Sequence, residues 1–190
     1  MFIIRPAFSW FWRACVIAFL AAGTVTPAAP QSATVFKPQT ISLAGDDAPD
    51  GNGQFWRYTT PSINSQGKVV FGADFLYTQN RGDDDTGIFI YDRRSEEITG
   101  VARAGQVLPT GDGSFTQLLF TPEINSTGQV SFVNQVATTS SGRFRLYRYE
   151  SDGSISDLAR SGTPASDGNG QISSFGSTKL EDNGDILFTA

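Results

Sequence analysis

Histidine is absent from the 190 residues, cysteine occurs once, at Cys15, and lysine is confined to Lys37, Lys68 and Lys179. The first two shortages remove Cys/His zinc sites and every histidine-based triad. A serine nucleophile without histidine needs a lysine partner, and nothing around the three lysines marks one for that role. Basic charge is also scarce: 14 Lys and Arg stand against 19 Asp and Glu, a net charge of −5. Arg5 and Arg13 lie in the first 28 residues, which hold no acid, so the remainder is more acidic still. Phosphate binding needs a basic face, so a nucleic-acid partner is excluded. No long segment of helical period is present, and the one apolar run, Ala14 to Gly23, is too short to span a bilayer comfortably.

That run has a different reading. Arg5 and Arg13 precede it and small residues with prolines follow it, in Thr-Val-Thr-Pro-Ala-Ala-Pro. This is the order of a secretory signal peptide, with cleavage expected near Ala28 or Ala29 and an uncleaved anchor as the alternative. Cys15 lacks the Leu-Ala-Gly-Cys setting of a lipoprotein site and reads as a small apolar residue that leaves with the signal. The expected location is secreted, periplasmic or on the cell surface.

The remaining chain is dominated by turn residues and short apolar runs, an all-β composition. One stretch organises it: Ile63 to Ala73 contains Asn64, Gly67, Phe71 and Ala73, which return as Asn125, Gly128 and Phe132 with Asn134 in the Ala position. A third copy keeps Gly184, Phe188 and Ala190 and has Glu181 in the Asn position. Boundaries recur with it, at Gly45, Gly105 and Gly162, spaced by 60 and 57 residues. The chain divides into a signal peptide 1–29, a linker 30–40, repeat one 41–100, repeat two 101–157 and an incomplete third repeat 158–190.

Each repeat runs through the same features. A Gly-rich loop containing Asp50, Asp112 or Asp167 leads to Phe55, Phe115 or Ile172. After a proline-bearing strand end and the Asn-x-x-Gly turn comes a central strand of period two. Its core face is predicted to carry Val69, Phe71, Ala73 and Phe75, then Val130, Phe132 and Val136, then Ile186, Phe188 and Ala190. Lys68, Val70, Gly72 and Asp74, or Gln129, Ser131 and Gln135, lie opposite. A variable loop follows, acidic in repeat one (82–85) and Ser/Thr-rich in repeat two (138–142). Strands 87–91 and 144–147, then 98–104 and 155–161, complete the unit. Short antiparallel strands repeating as a block at about 60 residues describe a propeller blade better than a sandwich or a β-helix. The expectation is an all-β chain of tandem antiparallel sheets, partially propeller-like, with two full blades and an incomplete third.

The pattern Asn-x-x-Gly-x-x-x-Phe-x-Ala resembles the exported bacterial tandem-repeat proteins described by that consensus, which often carry a C-terminal sorting anchor of the Pro-Glu-Pro type. The resemblance covers residues 41–190, and no anchor is present in the chain. More loosely, the stretch is similar to TolB-type β-propeller repeats, through a strand such as Gly87 to Asp92. The first resemblance implies an extracytoplasmic protein with no assigned catalytic residues.

Candidate chemistry is sparse. The loops at Asp50, Asp112 and Asp167 could offer oxygen ligands to calcium, but they lack EF-hand spacing, and their Asp and Gly also serve tight turns. Asp83, Asp84 and Asp85 form a second candidate cation cluster or a solvated loop tip, and Arg81-Gly82-Asp83 is an integrin-type tripeptide. Sialidase-type Asp boxes do not match at these loops. Glu96, Glu97, Glu123, Glu150 and Glu181 show no pairing suited to glycoside hydrolysis. No catalytic, cofactor or metal residue is therefore assigned, and no cofactor is expected. The expected function is an exported non-catalytic scaffold, a cell-envelope or extracellular module that binds a protein or glycan through its variable loops. The alternative is a fragment of a secreted propeller enzyme, glycan-degrading for example, with its active residues in further repeats. A continuation past Ala190, or self-association through unpaired strand edges, is also expected.

Overall fold

A computed structural model describes residues 2–6, 36–118, 121–138 and 142–190. The chain forms two compact units, 1–41 and 42–190. In the first, β1 (Phe2–Pro6) pairs antiparallel with β2 (Phe36–Thr40), so the segment read as a linker contains a strand. Residues 7–35, with the apolar run and the expected cleavage site, lie outside the described residues. No helix among the described residues is long and apolar enough to cross a membrane.

The second unit is all-β. Its first sheet holds β3 (Gln54–Tyr58), β4 (Ser62–Ile63), β5 (Val69–Leu76), β6 (Thr86–Asp92) and β7 (Glu97–Arg103), in the order β3-β5-β6-β7 with β4 also on β5. The second sheet repeats this arrangement with β8 (Gly113–Phe115), β9 (Glu123–Ile124), β10 (Val130–Thr138), β11 (Phe144–Tyr149) and β12 (Ile155–Arg160). The third has β13 (Thr178–Leu180) and β14 (Ile186–Phe188). Register makes the sheets equivalent: Phe71 faces Phe89 as Phe132 faces Tyr147, and a bulge falls after the same position of β6 and β11. The arrangement is two complete blades and a partial third, propeller-like and antiparallel throughout.

The backbone skeleton recurs at every copy. Gly45, Gly105 and Gly162 donate to the carbonyls of Phe55, Phe115 and Ile172 at 2.8, 2.8 and 2.7 Å. The Asn-x-x-Gly element closes on itself: Gly67 and Gly128 donate to the Asn64 and Asn125 carbonyls at 3.0 and 3.1 Å. Both glycines need a left-handed backbone, with φ of +81° and +88°, which a side chain would resist. The Asn64 Oδ1 accepts from the N–H groups of Gln66 and Lys68, and the Asn125 Oδ1 accepts from those of Thr127 and Gln129. Each amide then reaches forward. Asn64 Nδ2 donates to the Asn125 carbonyl at 2.9 Å, and Asn125 Nδ2 donates to the Glu181 carbonyl at 3.1 Å. Asparagine is suited to this motif because one end accepts within its own turn while the other donates to the next.

The sheets stack face to face. Val70, Ile88 and Ala102 of the first join Phe115, Ile124, Phe132 and Tyr147 of the second in one core. Val133 and Leu146, on the far side of the second sheet, pack with Phe175, Ile172, Ile186 and Phe188. The Phe face is core, as the alternation predicts, but the opposite face is core too: Val70 and Ser131 are fully buried. The second sheet covers the Val70 face of the first, and the third covers the Val133 face of the second, so these faces have no solvent side; Lys68 and Gln129 stand just before β5 and β10.

Candidate functional site

The variable loop of the first sheet borders a cleft of about 750 Å³ against the second sheet. On the loop side it is lined by Asn80, Asp83, Asp84, Asp85 and Thr86. Ser114, Thr116, Gln117 and Gln135 line the facing wall, from β8, β10 and the segment after β8. Among these described residues there are carboxylates, amides and hydroxyls but no lysine or arginine. Leu118 N donates to Thr86 Oγ1 at 3.2 Å across the base, tying the two walls together.

The acidic loop is held in shape by Arg103, the last residue of β7. Its Nε donates to the Asp84 carbonyl at 3.0 Å, Nη1 meets Asp50 Oδ2 at 2.5 Å, and Nη2 donates to the Asn52 carbonyl. The guanidinium lies 4.3 Å from the centroid of the Phe75 ring, close enough for a cation–π contact. Asn52 Nδ2 donates to Asp84 Oδ2 at 2.7 Å, and Gln79 N donates to Asn52 Oδ1 at 2.8 Å. Gly82 N and Thr78 Oγ1 donate to the Asp85 carboxylate. Burial opposes ionisation of Asp84, yet the Asn52 amide, the Asn80 N–H and the charge of Arg103 outweigh it and hold its carboxyl below the ordinary range.

The sequence-derived candidates fall into two groups. Asp83, Asp84 and Asp85 reach the cleft, with Asp84 and Asp85 also serving as internal acceptors. The Asp loops do not reach it. Asp50 Oδ1 accepts from Asn52 N and Asp167 Oδ1 from Asn169 N, the turn role that competed with calcium binding. Asp112 is instead drawn inward to Arg145, with contacts of 2.7 and 3.0 Å. Among the described residues no group of three or more His, Cys, Asp or Glu side chains is arranged to hold a metal ion. Glu123 meets Lys179 at 3.4 Å and Glu150 meets Arg148 at 2.6 Å, so both acids are paired on the scaffold.

Arg145 forms a second polar centre, inside the second sheet. Fully buried, it bonds Asp112, Asp157 and Thr110 through Nη1, Asp112 and Thr138 through Nη2, and the Gly142 carbonyl through Nε. The hydrogen bonds to Asp112 push its pKa up against the effect of burial, and the charges of Asp112 and Asp157 add to them. Burial pushes the Tyr147 phenol up, and the charge of Asp157 adds to that. Asn134, opposite Arg145 in the strand pair, is fully buried with neither amide atom hydrogen-bonded.

Of the far wall of the cleft, the sequence pattern places only Gln135, on the strand face opposite the core; Ser114, Thr116 and Gln117 carry no motif. Polar side chains crowded around the short strand β8 were the available signal. Arg145 also went unnoticed, because a lone arginine in an alternating strand reads as a solvent-facing residue.

No curated protein and no solved structure matches the chain. The sequence profile of a family of unknown function (DUF7453) matches residues 20–190. The chain, matched over most of its length, belongs to that family.

Proposed function

We propose that this chain is an exported, non-catalytic β-repeat scaffold that binds a polymer of the cell envelope or extracellular space in the cleft beside its acidic variable loop. The cleft itself carries this reading. Its polar walls, the acidic variable loop on one side and Thr116, Gln117 and Gln135 on the other, are built from residues that differ between the sheets, while the recurring Gly105 turn and Phe115 close the rest. Its carboxylates, amides and hydroxyls offer hydrogen bonds to a neutral polymer and attraction to one bearing amines, while an anionic polymer would be repelled. The charged, apolar and small-residue order of the N-terminus supports export, as does the resemblance to exported tandem-repeat proteins.

Two measurements test the reading. Intact mass of the protein recovered from the periplasm or medium should show loss of about the first 28 residues, and full-length cytosolic material contradicts export. Calorimetric titration with neutral, amine-bearing and anionic polysaccharides should show binding to one of the first two only. Asp83→Arg with Gln117→Arg should weaken it at least about tenfold, or about 1.4 kcal/mol. Unchanged binding by that variant contradicts the cleft.

A further inference from the structure

Tyr77, the first residue after β5, has a left-handed backbone with φ of +61° and is 80% exposed. Glycine takes that conformation freely and asparagine tolerates it, whereas a bulky residue is strained in it. The turn is fixed from both sides. Leu76 pairs with Gln54 before it, and after it Thr78 is buried with its hydroxyl on Asp85 while Gln79 N donates to Asn52 Oδ1 at 2.8 Å. Gly53 lies so close that a Cβ there would come within 2.7 Å of the Leu76 carbonyl oxygen. In the second sheet the matching residue, Thr138, continues β10 instead.

The backbone accounts for a left-handed residue at this turn but not for a ring. So exposed, the phenol buries little surface against the fold, and its packing does not offset the strain. Strain held in place by its surroundings is a pointer to function. Position says which function. Tyr77 stands at the root of the variable loop, just before Asn80, where the lining of the cleft begins. Gln79, Asn80 and Arg81 beside it are polar and exposed. A protein partner would call for a contiguous apolar patch with the ring at its centre, and a lone ring among amides is not one. It suits a pyranose ring, whose partly positive C–H groups can lie on the negative face of the phenol while its hydroxyls meet the neighbouring amides.

We propose that Tyr77 is a stacking platform for a sugar ring, and that the polymer taken by the cleft is a polysaccharide. The proposal rests on the reading of the cleft as a polymer site and narrows its ligand. The ring supplies apolar contact, which the carboxylates, amides and hydroxyls of the cleft do not. It also predicts a separation of stability from binding, because the residue that best suits the backbone at this turn is not the one that best suits the ligand.

The probes are cellohexaose, which is neutral, and the chitosan hexamer, which bears amines, each titrated into the full chain. Tyr77→Asn should weaken binding of the saccharide that the unaltered chain takes by at least about tenfold, with a urea midpoint equal to or above that of the unaltered chain. Tyr77→Phe keeps the ring and should bind within about threefold of the unaltered chain. In spectra of the chain labelled at tyrosine, the ring signals that disappear in Tyr77→Asn should be the ones that move on titration. Unchanged binding by Tyr77→Asn overturns the platform and leaves the cleft standing. A lowered urea midpoint in that variant also overturns it, since the ring would then serve the fold. If the unaltered chain binds neither hexamer, the platform falls together with the cleft reading on which it rests.

Discussion

The first two sheets share one backbone and differ in what fills the end nearest the variable loop. In the first, Gly87 and Gly100 leave space for Phe75 and Phe89, whose rings meet edge to face at 5.5 Å within a cluster that includes Phe55 and Phe71. A Cβ on Gly87 would come within 2.7 Å of the Phe89 ring. In the second, the register puts Arg145 where Gly87 stands and Asp157 where Gly100 stands. Val136 replaces Phe75, Asn134 replaces Ala73, and Asp112 replaces Asn52. The substitutions form a set. Where the phenyl ring shrinks to valine, a guanidinium with two carboxylates occupies the end of the sheet. A blade position in this fold is therefore chosen with its neighbours, and a charged residue in one copy opposite glycine in another marks a change of filling and not a surface site.

Removing Arg145 tests that difference most severely. Arg145→Ala removes the buried cation and leaves Asp112 and Asp157 only the partly exposed Arg160, at 3.8 and 3.0 Å, and the expected loss is about 3 kcal/mol. Urea midpoints would measure it. The same change at an arginine on the surface, Arg93→Ala, should alter the midpoint little.

Phe71→Ala and Phe132→Ala should each cost about 3 to 5 kcal/mol, because both rings are fully buried in either kind of core. Phe188→Ala should cost clearly less, its ring being half-buried. Equal losses at all three positions would show that the third sheet is covered as fully as the others.

The ladder joining the turns is common to both sheets and should respond alike in each. Asn64→Asp and Asn125→Asp keep the oxygen that closes the turn and lose the amide that donates to the next one, for an expected cost of about 1 to 3 kcal/mol. Thermal melts of the two variants would compare the junctions directly. A neutral result at either would remove that link from the stacking.

The smallest expected effect concerns acid. Asp92 and Glu150 occupy equivalent positions at the ends of β6 and β11, and both are held below the ordinary carboxylate range. For Asp92 the Arg94 N–H is the main cause, with Lys68 at 3.3 Å adding to it. For Glu150, burial opposes the shift and the donors Arg148 and Gln129 overcome it. A depressed folded pKa contributes stability that is present above the unfolded value of about 4 and lost as pH falls through the folded one. Stability should therefore drop below about pH 4, and Asp92→Asn or Glu150→Gln should shallow that drop.

Much of this frame was legible in the sequence. The paired Gly67 and Gly128 announced turns, and the alternation around Phe71 and Phe132 announced the central strands and one of their buried faces. The second buried face was not legible: Val70 shares it with Gly72 and Asp74, and Ser131 shares it with Gln135, so the residues look half polar until another sheet is laid on them. The forward reach of Asn64 and Asn125 was hidden for a related reason, since a turn explains their presence without any partner. At the cleft, the loop acids were visible as a variable, charged segment. The opposite wall comes from a different repeat, and only folding brings it near.

The claim that the two sheets are alternative fillings of one frame has a direct test in a transplant. Asp112→Asn, Asn134→Ala, Val136→Phe, Arg145→Gly and Asp157→Gly together give the second sheet the first sheet's residues at this end. The urea midpoint of that variant is compared with that of Arg145→Gly alone. The combined variant should regain at least half of the stability lost in the single one. A combined variant less stable than Arg145→Gly would contradict it.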